Sequence, residues 1–193
     1  MLRNKVIMVG QGSIALEFAE YLEDYGRLFP SENINILGYL SLPGEEDRLA
    51  DRFLDLGSPL LHQPSSDYLY MLGCEPNRYP DFILDLKKRG ARFIRFVHPE
   101  AKLGSNVSLG EGVLIGPFAY VQSGAKLGDF NLLEMYSTVA MFAVVGNFNH
   151  LSPKAYVGPD CVLGTSNTIG LNANVPKGKS LGDQNRIPAG ACV

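Results

Sequence analysis

The hydrophobic pattern divides the chain into two parts with different periods. From Val97 onward every sixth residue is aliphatic: Val97, Leu103, Leu109, Ile115, Val121, Leu127, Leu133, Val139, Val145, Leu151, Val157, Leu163, Ile169, Val175, Leu181, Ile187 and Val193. A helix repeats about every 3.6 residues and a strand about every 2, so neither yields an unbroken six-residue register, whereas a solenoid of short repeats does. We read this part as a parallel β-helix in which each hexapeptide is one side of a coil. The residue after the aliphatic one is Gly at positions 104, 110, 116, 128, 146, 158, 164, 170 and 182, as expected of a chain that bends sharply after each short strand. Two positions before the aliphatic residue the chain favours small residues such as Ala119, Ala125, Cys161 and Ala173, which suits a tight corner. In that slot Asn131, Asn149, Asn167 and Asn185 recur at one interval, three hexapeptides apart. The interval predicts three hexapeptides per turn and a ladder of stacked amide side chains along the axis.

The first part alternates short apolar runs with helical patterns. Residues 5–9 read as a buried strand, Gly10-Gln11-Gly12-Ser13 as a turn, and residues 14–25 as a helix. Ala15 stands at the third site of a GxGxxG/A fingerprint, so this turn could aim backbone N–H groups and a helix N-terminus at a phosphate. A dinucleotide site also needs an acidic residue after the second strand, yet the run 34–40 ends in Ser41-Leu42-Pro43, which argues against an NAD-dependent oxidoreductase. Residues 44–63 read as a polar, solvated excursion without chemistry. Residues 67–73 form a further strand ending in Gly73, residues 77–88 a helix closed by Arg89-Gly90, and residues 93–97 a strand leading into the coil. The expected fold class is therefore α/β followed by β: a small Rossmann-like domain over residues 1–92, then the hexapeptide coil over residues 93–193.

Composition adds limits to this picture. A hydrophobic share of 46% is ample for packed cores, and a net charge of −3 gives no basic footprint for nucleic acid or an anionic membrane surface. No apolar run approaches the roughly 18–20 residues that span a bilayer, so a cytoplasmic protein without a membrane partner is expected. Cys74, Cys161 and Cys192 are odd in number and far apart, which fits a reducing compartment, with Cys161 and Cys192 packing in the coil.

The order strand-GxG-helix, a strand ending in Gly73, then VHPEAKLG and hexapeptides with STVAMFAVVGNFNHLSPKAYVG, resembles the sialic acid O-acetyltransferase family, which includes bacterial N-acetyltransferases of nucleotide amino sugars. The resemblance spans nearly the whole chain. It implies a left-handed coil, a homotrimer, and acetyl-CoA in the groove between neighbouring subunits. The nucleotide-linked sugar would lie against the N-terminal domain, for surface-polysaccharide or glycoconjugate biosynthesis. Carried over residue by residue, the family's general-base His and the acidic residue after it fall on Met141 and Phe142. Neither a thioether nor a phenyl ring can take a proton from an attacking amine or hydroxyl. His150 matches the family's second His, beside the thioester, and should project outward and be available next to the inward Leu151. Leu171 and Ala189 match positions where the family's backbone meets the pantetheine arm and CoA. For the sugar nucleotide the resemblance implies Gly10, Gly12, Ser13, Ser41 and Gly73, with Ser13-Ile14 in place of Gly-His and Ser41-Leu42 in place of acidic residues. His98 belongs to a structural His-Pro pair, and His62 lies in a loop without an identifiable partner.

Two readings follow. One is an acetyl-CoA-dependent N- or O-acetyltransferase of a sugar in which His150, water or the substrate handles the proton. The other is a non-catalytic relative that binds a nucleotide sugar or a partner protein. Zinc chemistry of the γ-carbonic anhydrase kind would need three ligands, and the coil has only His98 and His150. Met135, Tyr136, Met141, Phe142 and Phe148 fall off the inward register and should form an outward apolar patch, which motivates the trimer.

Overall fold

The six-residue register folds into a three-sided coil. In the computed structural model, which describes residues 4–193, two-residue strands recur every six residues and stack into three parallel sheets. Face 1 holds Phe96–Val97, Leu114–Ile115, Leu132–Leu133, His150–Leu151, Thr168–Ile169 and Arg186–Ile187. Face 2 runs from Lys102–Leu103 to Asn174–Val175, and face 3 from Ser108–Leu109 to Ser180–Leu181. The second residue of nearly every strand points inward, so the aliphatic register becomes one continuous core with Ala and Cys161 filling the corners; Leu103, at the open end of face 2, is 41% exposed and lies outside it. Leu163, for example, is paired with Val145 below and Leu181 above.

The corners behave differently from expectation. The glycines that follow the inward residue are there for close stacking: a Cβ on Gly110 would sit 2.4 Å from the carbonyl carbon of Gly128, and one on Gly164 2.1 Å from Asp183 Oδ1. The bend itself is taken two residues later, in left-handed conformation, often by side chains that rarely adopt it: Phe118, Phe130, Tyr136, Phe142 and Phe148 have φ between 57° and 60°. The N–H groups of Phe130, Tyr136, Phe142 and Phe148 donate to the coil below, as Phe148 does to Asp129 O at 2.9 Å, and the rings of Phe130 and Phe148 stack at 5.0 Å, which offsets the conformational cost. Phe148 is consequently buried and leaves the outward patch. The Asn ladder is present: Asn149, Asn167 and Asn185 each donate from Nδ2 to Oδ1 of the Asn below at 2.9–3.0 Å. Cys161 is buried, whereas Cys192 is exposed rather than packed.

The described residues divide into two compact units, the first ending at Ile94 and the second Arg95–Val193. The first is built on a parallel sheet in the order β3-β2-β1-β4, from β1 (Asn4–Val9), β2 (Ile34–Leu40), β3 (Leu54–Asp55) and β4 (Tyr68–Leu72). Helix α1 (Ser13–Leu28) follows β1 directly and buries Ala15, Phe18, Ala19 and Leu22. The helix expected over 77–88 is split into a 3-10 turn, Pro76–Arg78, and α2 (Pro80–Lys88), because Pro80 lacks an N–H and can only open a new helix. Short β3 lies inside the supposed polar excursion. The strand expected over 93–97 is also divided: Phe93 bridges to Tyr70 in the first sheet, and only Phe96–Val97 starts the coil. No helix among the described residues is long and apolar enough to cross a membrane.

Candidate functional site

The glycine turn in the first unit closes on itself. A Cβ on Gly10 (φ 117°) would lie 2.6 Å from Gly73 O, and one on Gly73 would lie 2.8 Å from the Ala15 side chain. Both glycines are thus required where β1, β4 and α1 converge, before any ligand is considered. Gly10, Gly12, Ser13 and Gly73 gather beyond the C-terminal ends of β1 and β4, and Ser41 follows β2, donating its N–H to Gly57 O at 3.0 Å. The anion that the turn could cradle is supplied by the chain. Glu45 Oε2 accepts from the backbone N–H of Gln11 at 2.9 Å and of Gly12 at 3.1 Å, so residues 44–63 are not merely a solvated excursion. Gln11 adds a second tie, its side-chain amide pairing with the Leu42 backbone at 2.7 and 2.9 Å. Burial pushes the Glu45 carboxyl above its ordinary range, against the pull of those two N–H donors and of Arg78. Gly12, Ser13, Glu45, Glu75 and Arg78 line an open cleft of about 210 Å³. A phosphate entering it would compete with Glu45 for the same N–H groups. Nearby in sequence but with a different role, His62 does have a partner: its Nε2 meets Tyr70 OH at 2.8 Å.

In the coil, His150 occupies the outward position of face 1, yet it is only 6% exposed, which corrects the expectation of an available ring. Its Nε2 is hydrogen-bonded to Glu134 Oε1, from the corner of the preceding coil, and its Nδ1 is buried without a hydrogen-bond partner. Glu134 was not singled out from the sequence, although it stands in the slot after an inward aliphatic residue where most hexapeptides carry Gly. Leu171 and Ala189 lie one above the other in the column of corners between faces 1 and 2, the same column that supplies Glu134; Gly190 N–H donates to Leu171 O at 2.8 Å. Leu171 is 51% exposed and Ala189 is exposed, so an aliphatic and backbone-rich strip lies open there. His98 is buried at the first corner of this column, where its Nδ1 accepts from the Glu100 N–H at 3.2 Å, a structural cap.

Met141 and Phe142 lie elsewhere. They form a corner between faces 2 and 3, across the coil from face 1, so one chain does not bring Met141 and His150 together. Met141 is 46% and Phe142 62% exposed, and the Phe142 ring lies over Gly124, whose added Cβ would meet it at 2.5 Å. Neither side chain offers a proton acceptor at this corner. No group of three or more His, Cys, Asp or Glu side chains among the described residues is arranged to hold a metal ion.

Solved structures share this architecture. The acetyltransferase domain of PglB from Neisseria gonorrhoeae is similar over 99% of this chain and 91% of its own, at 22% identity and a TM-score of 0.84. The same domain in complex with acetyl coenzyme A matches over 99% and 96%, at 21% identity and a TM-score of 0.67. A variant of perosamine N-acetyltransferase from Caulobacter crescentus, in complex with CoA and GDP-perosamine, matches over 98% and 88%, at 21% identity and a TM-score of 0.64. No protein-family model and no curated protein sequence matches the chain. At these identities the likeness establishes a common fold, a parallel β-solenoid preceded by an α/β unit.

Proposed function

We propose that the chain is an acetyl-CoA-dependent acetyltransferase of a nucleotide-linked sugar, working in the cytoplasm as a homotrimer. The observation that carries this reading is the whole-chain likeness to acetyltransferases, one of them a perosamine N-acetyltransferase in complex with CoA and GDP-perosamine. On this reading the coil is left-handed and the first unit Rossmann-like, with the GxG turn at the end of β1 and the sheet order β3-β2-β1-β4 as support. His150, Leu171 and Ala189 would face the acyl donor; the column of corners that carries Leu171 and Ala189, beside the face that carries His150, is open and apolar at Leu171 and fits a pantetheine arm. Gly10, Gly12, Ser13, Ser41 and Gly73 would receive the nucleotide once Glu45 is displaced. Acetyl-CoA supplies an activated acyl group. The chain's own work is to hold donor and acceptor side by side, which is worth several kcal/mol of barrier, and to accept one proton. Because Met141 and His150 lie across the coil from each other, they can contribute to one site only from two chains, which favours the trimer.

A second reading, a non-catalytic relative that binds a nucleotide sugar or a partner protein, is favoured by Met141 and Phe142 at the position of the family's base. Release of CoA thiol from acetyl-CoA, followed over a panel of nucleotide sugars with free amines or hydroxyls, decides between them. Turnover above the acceptor-free rate supports the enzyme, and its absence over the whole panel supports the binder.

A further inference from the structure

We infer that Glu134 and His150 form the proton-transfer pair of this reaction, replacing the base that Met141 and Phe142 cannot provide. The inference rests on the acetyltransferase reading above. An ionised carboxylate can only accept, so the Glu134 bond requires the hydrogen on Nε2 of His150. A neutral ring then carries a bare lone pair on Nδ1, the atom that is buried without a partner. Buried acceptors without donors are rare in folded proteins, and each calls for a water or ion, local strain, or a ligand or reaction that uses the atom. The side chains of His150 and Glu134 are 8% and 16% exposed, so their hydrogen bond is sheltered from competing water. Because Nδ1 is closed to solvent in the single chain, the pair can act only if binding uncovers this atom to the acceptor.

In the transfer, the acceptor's amine or hydroxyl forms a bond to the acetyl carbonyl carbon and the C–S bond to CoA breaks. The proton leaves the nucleophile for Nδ1 of His150 and passes from there to the departing sulfur, giving the CoA thiol. Glu134 keeps its charge throughout. It is a positioning residue that fixes the tautomer and steadies the imidazolium between the two proton transfers.

The alternative, a His–Glu staple that only joins two coils, makes different predictions. Nitrogen-15 NMR of the whole protein labelled at histidine, with no ligand added, is expected to show His150 as the Nε2–H tautomer with bare Nδ1; the opposite tautomer overturns the pair. Glu134→Gln, which keeps the shape and an acceptor oxygen, should lower kcat by at least about tenfold while leaving KM for acetyl-CoA within about twofold. Should that variant melt, Glu134→Asp, which shortens the reach, is assayed in its place with the same fall expected. Full kcat in the folded variant, with an active parent protein, overturns the pair alone. An inactive parent protein that nevertheless shows the expected tautomer removes the acetyltransferase reading, and the pair's catalytic role with it.

Discussion

A single carboxylate, Glu45, occupies the turn where a phosphate would bind, and its ionisation is linked to folding. Its folded-state pKa is raised by burial, so it favours the native state most when protonated. That contribution is complete below the ordinary glutamate range and is lost as pH rises through the raised value. We expect the melting temperature of the parent protein, relative to Glu45→Gln, to increase as pH falls from about 7 toward about 5. A difference that does not change with pH would mean that the carboxyl has the same pKa folded and unfolded, burial being offset by the N–H donors and Arg78. At the other site, His150→Ala should lower turnover by about a hundredfold, the scale of one acid–base group, while leaving the mass measured by light scattering unchanged. Turnover that survives the change, measured by CoA release, would remove His150 from the mechanism.

The coil is specified one hexapeptide at a time. Leu163 is only 2% exposed, between Val145 and Leu181 in the adjacent coils, and Leu163→Ala should cost about 2–5 kcal/mol by reversible denaturation. A loss below about 1 kcal/mol would mean that the side chain is not part of the core. The inward register and the Asn ladder were legible in the sequence because each is a constraint repeated at a fixed interval, and a repeat multiplies a weak signal. The conformation of the corners was not, since left-handed Phe and Tyr are against local preference, and Phe130, Tyr136, Phe142 and Phe148 are held by donating their N–H groups to carbonyls of the coil below. The division at Pro80 was readable from proline chemistry alone. By contrast, Glu45, Gln11 and Glu134 act through partners 31–34 or 16 positions away, which no local pattern encodes. His150 was legible as a position but not as a buried one, because its exposure depends on tertiary packing.

On the scale of the whole molecule, exposed apolar side chains fall on two different strips of the coil. Phe118 and Tyr136 stack at 4.9 Å on the corners between faces 1 and 2, while Met141, Phe142, Val144 and Val162 are exposed along face 3 and its leading corner. Two unlike patches on one chain suit a heterologous interface that closes into a ring. Light scattering at micromolar concentration should therefore give a trimer, and a monomer would contradict it. If the trimer assembles a groove at Met141, the double change Met141→His with Phe142→Asp should raise turnover by restoring an imidazole and a carboxylate there. Aspartate suits that corner, since Asp160 holds the same left-handed conformation in the next coil at φ 57°. No gain in CoA release would mean that the acceptor pocket, and not the base alone, differs from that of an enzyme using this corner. Whether the scaffold takes acetyl-CoA is tested most directly by calorimetric titration of acetyl-CoA into the whole protein. Saturable binding at one site per chain, weakened by Leu171→Glu, is the predicted result; no heat and no saturation up to millimolar acetyl-CoA would contradict it.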